Sequence, residues 1–240
     1  MNIVIVGASS GLGLETARIL VAQGHRVGVA ARRTEQLLAF QRTAPEQLFV
    51  ATIDVLSPKA PHQLHALIEE MGGMDIYLHS AGIGFTNLEL AAQKELNIVE
   101  VNGRGFTQMV IAAYHYFAQN QRRGHIAAIS SVAGTKGLGA SPAYSATKRF
   151  QYTYLQSLAQ LSRMQGHDIA FTDIRPGFVD TAFIEKKNYP LVMPVEKVAR
   201  CIVQALYQRK RIATIDWKFR IIVALWKCVP DWIWERIKIQ

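Results

Sequence analysis

The chain has 240 residues, 50% of them apolar and 19% charged, which is enough for a full-sized core and excludes a disordered or low-complexity protein. Its two cysteines, Cys201 and Cys228, are too few for a disulfide framework and point to a reducing compartment. Lys and Arg outnumber Asp and Glu by 27 to 18, and the excess is uneven: residues 209–240 hold eight basic side chains against three acids. Such a surface suits an anionic cofactor, a membrane or nucleic acid. No zinc-finger spacing or RNA-binding signature is present, which sets nucleic acid aside. No run approaches 18 apolar residues, and MNIVIVGASSGLG lacks the pattern of a signal peptide, so the expectation is a chain without a transmembrane helix, in the cytoplasm.

In chain order, β-rich apolar runs alternate with helix-length segments. The expected strands are 2–6 (NIVIV), 26–31 (RVGVAA), 48–53 (LFVATI), 75–80 (DIYLHS), 125–130 (HIAAIS), 168–174 (DIAFTDI) and 211–215 (RIATI). Helices are expected between them, notably over 60–71, 92–119, 142–165 and 194–208. Alternation of this kind predicts parallel strands joined by crossover helices. Strands apolar on both sides predict a sheet covered on both faces. The fold class is therefore α/β: a doubly wound Rossmann-type domain with a mainly parallel seven-stranded sheet over 1–216, followed by a basic aromatic helical extension over 217–240.

The first strand runs into Gly7-Ala8-Ser9-Ser10-Gly11-Leu12-Gly13, which opens the first helix. Glycines let the backbone turn sharply and approach a phosphate, and the helix start offers free N–H groups to it. In this setting the turn predicts a dinucleotide site. An NAD site carries an acid at the end of the second strand, whereas this chain has Ala31-Arg32-Arg33. Two guanidinium groups suit a 2′-phosphate, which predicts NADP(H). The competing reading is two solvated arginines on an exposed turn.

Tyr144 and Lys148 stand four apart at the start of a long helix and so share a face. A neighbouring ammonium stabilises phenolate, which predicts a tyrosine tuned for proton transfer. Ser131 ends the fifth strand, placed to hydrogen-bond a substrate oxygen. A YxxxK pair alone is commonly a surface pair; the strand-end serine and the early glycine turn make the combination specific.

With these residues in view, the sequence resembles the short-chain dehydrogenase/reductase family over residues 1 to about 210. The resemblance implies that GASSGLG is the cofactor turn and that Asp54-Val55 contacts adenine. It further implies that Asn102, Ser131, Tyr144 and Lys148 form the active-site tetrad. Within Arg175-Pro176-Gly177-Phe178-Val179-Asp180-Thr181, the Val179 backbone and Thr181 would hold the nicotinamide carboxamide. It implies an enzyme that interconverts a carbonyl and a secondary alcohol. Tyr144 would be acid/base, Lys148 would bind the ribose and depress the tyrosine, Ser131 would polarise the carbonyl, and Asn102 would hold a water linking Lys148 to solvent. The family's NNAG is here His79-Ser80-Ala81-Gly82, with Ser80, Ala81 and Gly82 kept as cofactor contacts and His79 read as a core histidine. The alternative class is an NADP-binding sensor or scaffold without turnover.

The remaining histidines are scattered and imply no metal site. Tyr152 and Tyr154 are read as packing or interface residues, and Cys201 as core. The resemblance implies that the segment between Thr181 and Pro194 forms the substrate lid. Lys186 and Lys187 on it have two readings, attraction for an acidic substrate or plain solvation. Phe85, Leu138, Phe178 and Phe183 are expected to line a mostly apolar pocket. The expected substrate is a small carbonyl or alcohol and the expected assembly a homodimer or homotetramer. Residues 217–240 contain all four tryptophans, interleaved with basic residues. A helix is expected through Phe219, Ile222, Val223 and Trp226, stopping near Pro230, with Asp231 capping a further turn. This tail has three readings: a membrane surface, which makes the protein a peripheral reductase of lipid-like ketones, a second subunit, or its own domain.

Overall fold

The structure, a computed structural model, describes residues 1–120, 122–181 and 191–238. Seven strands form one sheet: β1 (Asn2–Val6), β2 (Arg26–Ala31), β3 (Leu48–Thr52), β4 (Ile76–His79), β5 (Gly124–Ile129), β6 (Ile169–Arg175) and β7 (Ile212–Thr214). Their order is β3-β2-β1-β4-β5-β6-β7, and every pairing is parallel. The strands are rich in β-branched residues, which pack well on a pleated surface.

Successive residues of β1 serve opposite faces. Ile3 and Ile5 join one buried cluster with Leu20, Leu37, Ile202 and Phe219; Val4 and Val6 join a second with Leu64, Phe106 and Leu155. The first cluster is closed by α1 (Gly11–Ala22), α2 (Glu35–Gln41), α7 (Val195–Tyr207) and α8 (Trp217–Cys228). The second is closed by α3 (Ala60–Glu70), α5 (Phe106–Gln119) and α6 (Pro142–Met164). Burial on both sides is why the strands read as continuous apolar runs. Pro61, Pro142 and Pro194 mark the starts of α3, α6 and α7, where a missing N–H costs nothing.

Two expectations need correction. The helix expected over 92–119 is broken: α4 (Ala92–Val99) passes through a π-helical turn, Glu100–Gly105, before α5. Residue periodicity cannot distinguish one extra residue in a turn, and such turns concentrate at functional sites. In the tail, α9 (Asp231–Trp234) follows Pro230, and Asp231 is its first residue rather than its cap. The Asp231 carboxylate instead pairs with Lys136.

Candidate active site

The strand order reverses between β1 and β4, so the chain leaves these neighbours toward opposite sides and opens a crevice at their carboxyl ends. The glycine turn lies at one lip and Ser80-Ala81-Gly82 at the other. Gly7 has φ +94°, and a Cβ there would fall 2.3 Å from the Ala81 nitrogen. A Cβ on Gly13 would fall 2.4 Å from the Gly7 oxygen and 2.9 Å from Ser80 Oγ. These two positions accept only glycine because the turn is folded tightly against the β4 end. Ser10 is the N-cap residue of α1 with its side chain turned away from capping, and the first turn carries no acid. The first N–H groups of α1, from Gly11, Leu12 and Gly13, precede the intrahelical ladder and have no anionic side chain in their turn, which is the donor set a phosphate requires.

The other expected cofactor positions converge on this edge of the sheet. Arg32 and Arg33 follow β2 and are exposed. Asp54 and Val55 follow β3: Asp54 Oδ1 accepts from the Leu56 N–H at 3.0 Å, and Val55 is buried against Gly105. Pro176 and Gly177 follow β6. Beyond them Val179 bridges to Met193, and a side chain on Gly11 would stand 3.4 Å from Thr181 Cγ2. The β6 exit thus comes over the glycine turn. Ser9 is half-buried in that turn.

The four tetrad residues come from separate elements. Ser131 caps a 3-10 turn, Val132–Thr135, its Oγ accepting from the Ala133 N–H at 3.1 Å. Ser131 also hydrogen-bonds the Tyr144 hydroxyl. Lys148 Nζ lies 5.7 Å from the centre of the Tyr144 ring. Burial pushes the Tyr144 phenol up, while the Ser131 hydrogen bond works against this. The depression expected from Lys148 is not the net direction. Burial lowers the Lys148 ammonium to about 8, with the Asp173 carboxylate opposing. A Cβ on Gly82 would stand 3.2 Å from Asn102 Oδ1 and 3.4 Å from Lys148 Nζ, so this glycine lies directly beside both.

Asn102 sits in the π turn and is fully buried. Its amide clamps the backbone of Ile83, accepting from N–H at 2.9 Å and donating to C=O at 2.7 Å, and donates to Thr147 Oγ1 at 3.2 Å. Its own carbonyl accepts from Gln151 Nε2 at 2.9 Å, and Gln151 Oε1 accepts from Lys148 Nζ at 3.2 Å. The Gln151 side chain thus bridges the Asn102 backbone carbonyl to Lys148. Lys148 Nζ donates also to the Ile129 carbonyl at 3.0 Å.

Below the lysine lies a buried polar group that sequence reasoning missed. Asp173, fully buried on β6, accepts from Ser130 Oγ and pairs with Arg175 at 2.5 Å. The Arg175 guanidinium stacks 4.2 Å from the centre of Tyr152. The signals were a lone acid in the apolar run IAFTDI and a glutamine one turn after Lys148.

The family model described as short chain dehydrogenase matches residues 1–190. The chain belongs to the short-chain dehydrogenase/reductase family. It is an oxidoreductase of that family. An uncharacterized oxidoreductase of Myxococcus xanthus is 29% identical over 235 residues, covering 95% of this chain and 92% of the relative. A 3-ketodihydrosphingosine reductase of Bacteroides thetaiotaomicron is 32% identical over 189 residues, covering 78% and 66%. Among solved structures, the closed form of a serine dehydrogenase complexed with NADP+ superposes with a TM-score of 0.78 at 22% identity, covering 90% of this chain and 94% of that one. A 3-ketoacyl-(acyl-carrier-protein) reductase of Brucella melitensis complexed with NADH gives 0.79 at 20%, covering 90% and 96%. These two likenesses show the fold.

Where this short-chain dehydrogenase/reductase departs from NNAG, His79 is buried and lies edge-on to Phe106 at 5.2 Å between ring centres. Its Nδ1 shares a 2.9 Å hydrogen bond with the Tyr77 hydroxyl, and Nε2 has no hydrogen-bond partner among the described residues. Burial first, and the Lys148 charge second, lower it to about 3, so it stays neutral. Phe85 and Phe178 are exposed and Leu138 is half-buried, while Phe183, Lys186 and Lys187 lie outside the described residues. Cys201 is half-buried against the first core cluster. Among the described residues, no helix is long and apolar enough to cross a membrane, and no three His, Cys, Asp or Glu side chains gather as metal ligands.

Proposed function

We propose that this oxidoreductase interconverts a carbonyl and a secondary alcohol with NADP(H), using Tyr144 as acid/base. The observation that carries the reading is the joining of Ser131, Tyr144 and Lys148 at the mouth of the β1/β4 crevice. Bound NADPH supplies the hydride, and the chain supplies position and proton. Gly11, Leu12 and Gly13 hold the pyrophosphate through backbone N–H groups, Asp54 and Val55 take the adenine, and Val179 and Thr181 take the carboxamide. Ser80, Ala81 and Gly82 line the floor beside them. Arg32 and Arg33 favour the 2′-phosphate, because both are exposed directly after β2 and no acid stands in the NAD position.

Ser131 donates to the substrate oxygen, and Tyr144 delivers its proton to the same oxygen. The Tyr144 phenol, raised by burial, is protonated at neutral pH and thus ready to act as the acid in reduction. Lys148, held by Ile129 and Gln151, presents a positive charge that stabilises the phenolate left behind. Phe85, Leu138 and Phe178 favour an apolar carbonyl compound, a preference shared in name by the 3-ketodihydrosphingosine reductase relative. NADPH oxidation against a panel of ketones and aldehydes tests the reading. Tyr144→Phe is expected to lose at least a hundredfold in turnover; equal rates for the two proteins would leave a binding protein without this chemistry.

A further inference from the structure

The tail has two apolar faces and uses only one of them on its own domain. Phe219 and Val223, four apart on α8, are buried in the first core cluster. A Cβ on Gly177 would fall 2.2 Å from the Phe219 ring, so that ring lies flat on the β6 exit. Trp234 on α9 packs 5.2 Å from Trp226 and donates its indole N–H to the Gly137 carbonyl at 2.7 Å. These contacts fix the inner side.

On the outer side, Trp217, Ile221 and Leu225 repeat every fourth residue and form one line along α8, exposed by 63%, 51% and 62%. Ala224 and Cys228, both exposed, fall in the same arc. At about 100° per residue, Lys218 borders this arc on one edge and Arg220 and Lys227 on the other. Beyond Pro230, Trp232, Ile233 and Ile237 are exposed as well, and Arg236 stands 5.8 Å from the Trp232 ring centre. Of the three acids, Asp216 is tied to Lys197 and Asp231 to Lys136.

We infer that this outer face lies in the headgroup region of an anionic lipid bilayer. An apolar arc edged by cations, with tryptophans along it, is the composition of a helix in the plane of the interface. The surplus of five positive charges over residues 209–240 complements anionic headgroups. A second copy is the weaker occupant, since a two-fold interface would press the cations of one tail against those of the other. The inference goes beyond the proposed chemistry and stands whether or not the reductase reading holds.

The test is co-sedimentation of the full chain with vesicles of phosphatidylcholine alone or with about a third phosphatidylglycerol. The protein is expected to pellet with the anionic vesicles and to be released by high salt. Ile221→Glu/Leu225→Glu should cut the vesicle-bound to free ratio at least tenfold, with an unchanged thermal melting profile. Lys218→Gln/Lys227→Gln, which leaves all apolar contacts intact, should cut it about tenfold and keeps the test sharp should the first variant misfold. Wild-type protein staying in the supernatant with both vesicles overturns the inference, as does equal binding by the variants. A dimer in sedimentation velocity that Ile221→Glu/Leu225→Glu converts to monomer assigns the face to a second copy and also overturns it.

Discussion

Replacing Lys148 by Met is expected to make the protein inactive and more stable at the same time. Lys148 is 5% exposed, and burial lowers its ammonium from 10.5 to about 8. Holding that charge costs the folded state about 3 kcal/mol at pH 7. Methionine removes the charge with a chain of similar length. It leaves the Ile129 carbonyl and Gln151 Oε1 without their donor, which returns about 1–2 kcal/mol. The net gain is about 1–2 kcal/mol, or a few degrees in Tm for a chain of this size. The pH dependence carries the sign. Between pH 8 and 10.5 the unfolded chain keeps a proton that the folded chain has released, so wild-type stability rises through that window. The variant lacks the rise, and its advantage should vanish and then reverse. Urea unfolding from pH 7 to 10.5, with turnover measured in parallel, reads all of this. A variant that is less stable at pH 7, or a difference that does not change with pH, would refute the reasoning.

Burial lowers His79 to about 3 and His125 to about 4, so the unfolded chain takes up two protons below pH 6.5 that the folded chain refuses. Stability should fall with acidification at up to about 2.7 kcal/mol per pH unit, and His79→Asn should halve the slope in urea titrations between pH 6 and 4.5; identical slopes would contradict it. Gln151→Glu places a carboxylate beside Lys148 and should move the alkaline limb of the kcat profile upward by a unit or more, while Gln151→Leu should lower kcat about tenfold with a smaller change in cofactor KM. Superimposable pH profiles for wild type and Gln151→Glu would remove Gln151 from the positioning of the lysine. Arg32→Ala/Arg33→Ala should raise the KM for NADPH at least tenfold and leave that for NADH nearly unchanged, and a parallel loss for both cofactors would contradict a 2′-phosphate role.

The strands were legible because each is a short β-branched run closed by a charge, a proline or a glycine, as NIVIV is by Gly7 and DIAFTDI by Arg175-Pro176. The glycine turn and the Tyr144–Lys148 pair were legible because their spacing is local. What escaped was set by distance in the chain. The π turn at Glu100–Gly105 adds a residue without disturbing an apolar pattern already broken by Asn102, Gly103 and Gly105. The bridge from Asn102 through Gln151 to Lys148 joins residues 49 and 3 positions apart, and only packing of the π turn against α6 brings them together. The direction of the Tyr144 shift was misjudged for the same reason. Spacing shows that an ammonium is close, but only the packed interior shows that burial sets the net direction, against the Ser131 hydrogen bond.

Phe219 on Gly177 sets the C-terminal helix directly against the exit of β6. A tilt of this ring would bear on Gly177, two residues before Val179 and four before Thr181. Thermodynamic reciprocity then fixes the return effect: whatever factor a nucleotide at the crevice imposes on capture of the C-terminal helix, capture imposes on the nucleotide. On the inferred seating of the outer face on lipid, nucleotide affinity measured with and without anionic vesicles would read that factor directly.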